Sequence, residues 1–532
     1  MEKIQRSFLT GALILSVATM ICRFLGAVYR IPYQNITGNE GMFVYSQVYP
    51  LYSVLLLLAT AGFPLAISKL ISERTASQDW AAAKQIYHVS MTVLFVMGSM
   101  GFLILYFGAP YIATLMGSKA LLTLPIQAVS FALLLIPFTA TLRGVYQGQQ
   151  EMMPSAVSQV SEQLVRVITI LVCAWYAMST GLGVVYAGAG AVFGATTGAS
   201  IAVLVLLFYR KKSSGFRNMV TTVSDYPLRR WDVLKALFAI SVPICINSLL
   251  FPLFGLVDSF TISNFLIDAN WSAASAINEK GIYDRGGPLL QFAAFFATGI
   301  ALSIVPAMTT AKRQGNEKEV VQRTNLALRF TWLLGLPSSI GLAIIAMPTN
   351  VMLFKDAAGS DAVTVLAFST IFVTLCITTA GILQGLGRVI LPAISIGIAV
   401  LFKWVFNFFL IPIWDIRGAA VASVLAYALG AIINLFVLKR SISSLQVPWK
   451  KLLLANILLA GVAMTIKFLL LEWTSGWESE RIAMTITSLG SVLACLSVYI
   501  WATLRFQLIT DQELAMVPKL QKWLGKQRNS TY

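Results

Sequence analysis

The chain has 532 residues, of which 57% are hydrophobic and only 11% charged, and a formal net charge of +17. Charged residues at less than half their usual share exclude a water-soluble globular protein, since so much apolar surface cannot all be hidden in a core. Lipid is the solvent that fits. The positive balance would suggest nucleic acid in a soluble protein, but here it reads as Lys and Arg gathered on one side of a bilayer, and no nucleic-acid partner is expected.

At about 20 apolar residues per crossing, the first span falls at 8–29, behind Lys3 and Arg6. It continues to Tyr29 without a small-x-small cleavage site, so it reads as an uncleaved helix rather than a signal peptide. Further spans are predicted at 42–68, 85–107, 120–147, 155–178 and 183–209, followed by a polar stretch at 210–232. Beyond it come 234–263, 286–311, 326–347, 361–386, 390–412, 418–438, 452–471 and 483–505, then an amphipathic basic tail. The expectation is an all-α integral membrane protein of about fourteen transmembrane helices.

Most of the 39 Lys and Arg residues lie on one side if the N-terminus is cytoplasmic, with dense clusters at 210–235, 312–329, 439–451 and 519–528. The positive-inside bias therefore places both termini in the cytoplasm and leaves anionic membrane lipid beside the basic loops. The outer loops are short, the longest at about 264–284, so none offers an enzyme domain and no catalytic residues are expected. The five cysteines (Cys22, Cys173, Cys245, Cys376, Cys495) sit in apolar stretches without CxxC spacing and read as packing residues. His88 is the only histidine, which argues against a histidine-ligated metal.

The chain repeats itself at an offset of about 237 residues. Gly62 falls on Gly299, and Thr141, Gly144, Gln147 and Gly148 fall on Thr378, Gly381, Gln384 and Gly385. With one residue of drift, Pro110 matches Pro348 and Pro154 matches Pro392. A six-helix repeat has even parity, so both halves enter the membrane in the same sense, as in transporters with two parallel lobes. The domains are read as an N-terminal lobe at 1–212, a cytoplasmic linker at 213–232 and a C-terminal lobe at 233–440. Helices 13 and 14 follow at 441–505, then a basic cytoplasmic tail at 506–532.

An ionised side chain at mid-bilayer costs roughly 2.5–3.5 kcal/mol on insertion scales, so each one needs a reason. Glu162 and Arg166 lie one turn apart in the favourable order and read equally as a stabilising ion pair or a site. Lys467 reads as structural or snorkelling. Arg23 has no partner within its own helix. Arg30 follows that helix, and Arg285 stands between Asp284 and Gly286-Gly287-Pro288. These three arginines form a candidate cationic cavity for an anionic substrate, phosphate or pyrophosphate above all. Asp258 and Lys403 are either counter-ions of one another or, with Asn407 one turn beyond Lys403, an ion or gating site. A sodium ion there would compete with the ammonium for one place, and sequence leaves both readings open.

The segments "CRFLGAVYRIPY" (22–33), "YSQVYPLYS" (45–53), "AGFPLAISKLISE" (61–73), "RGVYQGQQEMMPSAVSQVSEQLVRV" (143–167) and "YDRGGPL" (283–289) give the chain a family likeness over nearly its whole length. It resembles the SpoVB/MurJ branch of the multidrug/oligosaccharidyl-lipid/polysaccharide exporter superfamily, SpoVB-type proteins most closely. The resemblance implies a flippase for an undecaprenyl-pyrophosphate-linked glycan such as lipid II, working by alternating access in the bacterial cytoplasmic membrane, alongside other cell-wall synthesis proteins. It implies that Arg23 and Arg285 are cavity residues. A third family arginine falls at Tyr29, with Arg30 adjacent. Some relatives hold sodium where Asp258 and Asn407 stand, but Lys403 departs from that pattern. Otherwise no cofactor is implied. The alternatives are a flippase for another lipid-linked polysaccharide and a cation-coupled multidrug exporter of the same superfamily.

Overall fold

The computed structural model describes residues 2–60, 62–221, 229–442 and 447–509, and the described elements are helices. The middle of the linker and the tail beyond 509, including the basic cluster at 519–528, lie outside the described residues. The first elements are α1 (Glu2–Val28), α2 (Arg30–Thr60), α3 (Phe63–Ala76), α4 (Trp80–Leu115), α5 (Lys119–Ser130), α6 (Ala132–Gly148) and α7 (Met152–Ser179). Then come α8 (Val184–Arg210), α9 (Ser214–Thr221), α10 (Arg230–Ser248), α11 (Leu250–Asp268), α12 (Ala273–Tyr283) and α13 (Gly286–Arg313). The last are α14 (Glu317–Ile344), α15 (Ala346–Phe354), α16 (Ser360–Ala367), α17 (Ser369–Gly385), α18 (Ile390–Ser441), α19 (Trp449–Thr474) and α20 (Glu480–Arg505).

Among the described residues, eleven segments are long and apolar enough to cross a membrane. Two of them, Leu13–Leu57 and Ile390–Arg440, each take in two of the expected spans. The reasons are local. Gly38, with φ of +72°, breaks α2 internally, and α18 bends at Trp414 and Asp415, the latter left-handed with φ of +52°. The expected span at 120–147 is divided at Phe131 into α5 and α6, and that at 234–263 is divided at Leu249 into α10 and α11. Short helices α9, α12 and α15 were not anticipated from periodicity.

Side-chain caps start several helices. Asp79 accepts from Ala82 N, Ser118 from Leu121 N, Ser272 from Ser275 N, Asn316 from Glu319 N and Ser479 from Ile482 N. Each satisfies a backbone donor that the helix itself leaves unpaired.

The chain forms two compact units, Met1–Pro288 with Ile396–Ala422, and Leu289–Ser395 with Ser423–Tyr532. In the first, small residues let helices approach closely. On α8, Gly194 lies against the Arg166 carbonyl and Gly198 against that of Glu162, which brings the charged stretch of α7 hard against it. In the second unit, α19 and α20 pair with one another and pack on α14 and α15. Lys467 does not snorkel: its Nζ donates to the Ile344 carbonyl at 2.7 Å, placing a cation on the negative end of α14.

Candidate functional site

All the charged residues singled out from the sequence, Lys467 apart, belong to the first unit. Arg23 apart, they fall into three groups.

The first group lies on α6 and α7. Arg166 Nη2 is 2.6 Å from Glu162 Oε1, as the one-turn spacing anticipates. Arg143, which the sequence reading passed over, adds its Nη2 at 2.8 Å from Glu162 Oε2 and donates Nε to Ser158 Oγ. Two guanidiniums on one carboxylate leave a net positive charge. Beside them is a cavity of about 10 Å³, room for one water centre, lined by Tyr45, Tyr49, Tyr52 and Arg166 among others. The Tyr52 hydroxyl and Arg166 Nε have no hydrogen-bond partner among the described residues.

The second group gathers at the start of α2 and of α13. Arg30 is 7% exposed and holds its guanidinium 5.0 Å from the centroid of the Tyr49 ring. Tyr49 stacks on Tyr45, whose hydroxyl bonds that of Tyr29, so aromatic rings run from Arg30 to the cavity at Arg166. A Cβ on Gly287 would sit 3.5 Å from Arg30 Nη1, which puts Arg30 beside the glycine pair that follows Arg285. Arg285 is 2% exposed and donates to Asn39 Oδ1, an oxygen that Gln34 also uses. Arg23 is not brought into this group. It lies on an exposed face of α1, while its neighbour Cys22 donates Sγ–H to the Gln159 carbonyl of α7. Seven residues separate it from Arg30, roughly 10 Å of helical rise.

The third group joins α11, α12 and α18. Lys403 Nζ lies 2.7 Å from Asp258 Oδ2, Asn407 Nδ2 donates to Asp258 Oδ1 at 3.3 Å, and the Tyr283 hydroxyl donates to Oδ2 at 3.4 Å. Asn407 also donates to Thr261 Oγ1 at 2.8 Å. Next to it, Lys280 pairs with Asp284 one turn on, a spacing readable in the sequence but not read. Burial pushes the Asp284 carboxyl above its usual range, the Lys280 ammonium working against that shift. The counter-ion reading of Asp258 and Lys403 is the geometry present. Sodium does not fit: the ammonium lies on the carboxylate, and Asn407 turns its amide nitrogen, a donor, toward Asp258 and Thr261.

These helices, with charges buried between them, define a multi-pass membrane protein. Solved structures of like fold include an inward-facing multidrug resistance MATE family transporter of the MOP superfamily. The TM-score is 0.68 at 16% identity, over 82% of this chain and 98% of that one. Lipid II flippase MurJ in an inward closed conformation gives 0.66 at 14% identity, over 93% and 99%. The chain belongs to the polysaccharide biosynthesis protein family, which matches residues 8–312. Among relatives from Bacillus subtilis, the uncharacterized membrane protein YabM is 36% identical over 98% of this chain and 97% of its own length. Lipid II flippase MurJ is 29% identical over 88% and 89%, and stage V sporulation protein B is 26% identical over 97% and 98%.

Proposed function

We propose that this transporter flips an undecaprenyl-pyrophosphate-linked glycan, lipid II or a close analogue, to the outer leaflet of the bacterial plasma membrane. It serves cell-wall or spore-cortex synthesis, with both termini in the cytoplasm and two parallel lobes alternating in access. Kinship with a lipid II flippase and a sporulation protein supports the class of substrate. The observation that carries the reading is Arg30, buried over an aromatic ring rather than on a carboxylate and beside Gly287. Of the carboxylates nearby, Asp284 is engaged by Lys280 and Asp258 by Lys403, while Glu279 lies within electrostatic range of Arg285. Arg30 is therefore the buried cation on offer where a diphosphate crossing a dry region needs replacement for its hydration. Arg23, exposed on α1, is a first contact for the same anion. The prenyl chain stays in lipid.

The test is complementation of a bacterial strain depleted of its lipid II flippases. The wild type should restore growth, and Arg23→Ala, Arg30→Ala and Arg285→Ala should not, at equal membrane abundance. Full rescue by all three variants would remove the cationic site. Failure of an abundant wild type would point to another lipid-linked polysaccharide as cargo.

A further inference from the structure

The group around Asp258 has the composition of a cation site but holds a cation of the chain's own. Asp258 and Thr261 lie one turn apart on α11, and Lys403 and Asn407 one turn apart on α18, so two side chains from each helix meet face to face. Remove Lys403 and what remains is a carboxylate, an amide and a hydroxyl, the oxygen-bearing groups that hard cations take. With Lys403 in place, the ammonium is 2.7 Å from Asp258 Oδ2 and 5.0 Å from the Phe254 ring centroid. A ring face suits an ammonium held by its quadrupole, whereas a metal ion needs further oxygens. Asn407 is set accordingly, its nitrogen toward Asp258 and its Oδ1 without a hydrogen-bond partner among the described residues.

We propose that Lys403 is a tethered cation filling the place an exchangeable monovalent ion would take between Asp258 and Asn407, so that this carrier cycles with no sodium bound there. The attachment matters physically. A cation fixed to α18 faces Asp258 at an effective concentration that free sodium must outcompete, and it cannot leave when the helices move. The pair then acts as a permanent link between α11 and α18. The statement about cycling rests on the transporter reading above, but the claim about the site's occupant does not.

The experiment melts the purified full-length protein in detergent, in sodium, potassium or choline chloride at equal ionic strength. The wild type should melt within about 1 °C in all three. Lys403→Ala should melt lower in choline and gain roughly 2–4 °C or more from sodium, saturably, as a ligand that binds only the native state does. Lys403→Arg should return to indifference. If Lys403→Ala cannot be purified, Lys403→Ser, which adds an oxygen, takes its place with the same expectation. A saturable sodium response in the wild type that Asp258→Asn abolishes would overturn the proposal. So would indifference to sodium in both the wild type and the Lys403 variants, because the site would then not be a cation's place. None of these melts depends on which glycan is carried, so failure of the complementation test leaves them readable.

Discussion

Arg143 reaches from α6 to Glu162 on α7, Nη2 to Oε2 at 2.8 Å, and turns an ion pair along one helix into a cluster tying two helices together. The side chains are 13–18% exposed, so solvent screens them little. The order of mutational costs follows from charge. Glu162→Gln leaves two guanidiniums facing each other without a carboxylate and should cost about 3–5 kcal/mol. Arg143→Ala leaves Glu162 paired with Arg166 and should cost about 1.5–3 kcal/mol. Thermal or denaturant unfolding in detergent measures both. The reverse order would mean that the carboxylate is not what holds the arginines.

Gly281 on α12 abuts the backbone of Asn39, where an added Cβ would lie 2.0 Å from the carbonyl oxygen. A backbone oxygen has no rotamer with which to yield, so Gly281→Ala should push α12 from α2 and cost about 1–3 kcal/mol. Gly461→Ala on α19 is the control. Nothing lies within 4 Å of its would-be Cβ, and a helical Gly→Ala exchange in open space should stabilise by up to about 1 kcal/mol. Equal melting temperatures for the two variants would contradict the close approach.

The membrane class and the helical runs were legible because about 20 apolar residues in a row have few other uses. The breaks were less so. Gly38 and Asp415 interrupt helices through single left-handed residues that leave hydropathy untouched. Of the site, Glu162 with Arg166 was readable because both partners sit on one helix. Arg143 stands 19 residues away on another element, and its contact depends on how α6 meets α7, which no local pattern encodes. The same holds for Asn39 with Arg285, 246 residues apart. Asp258 with Lys403 was legible only as a choice, and in three dimensions the ammonium lies 2.7 Å from the carboxylate.

Glu279 on α12 gives a pH dependence. Its carboxyl is raised above the usual range by burial first and by the Asp415 carboxylate second, with Arg285 opposing. A carboxyl whose folded value is raised binds its proton more tightly in the folded state. Its contribution to stability is thus greatest when protonated and is lost as pH climbs through the folded value. Glu279→Gln, which stays neutral, should gain stability relative to the wild type as pH rises from about 4 to about 8. Paired melts across that range check the sign, and a gap that narrows with pH would refute it.

The stacking of Arg30 on Tyr49 separates two accounts of how an anion would be held. If charge alone matters, Arg30→Lys should flip substrate as the wild type does, because the ammonium keeps the charge. The geometry argues otherwise. The guanidinium lies 5.0 Å from a ring centroid in a buried place, and its planar fork carries paired N–H donors that an ammonium cannot reproduce. Arg30→Lys should therefore fold and insert normally but lower flipping about tenfold, the loss of one charge-assisted hydrogen bond of roughly 1.5 kcal/mol. Tyr49→Phe keeps the ring face and should stay close to wild type, whereas Tyr49→Leu removes it and should approach Arg30→Lys. Lipid-flipping rates in reconstituted vesicles, normalised to inserted protein, measure all three. Wild-type rates for both Arg30→Lys and Tyr49→Leu would show that the ring does not present the guanidinium to substrate.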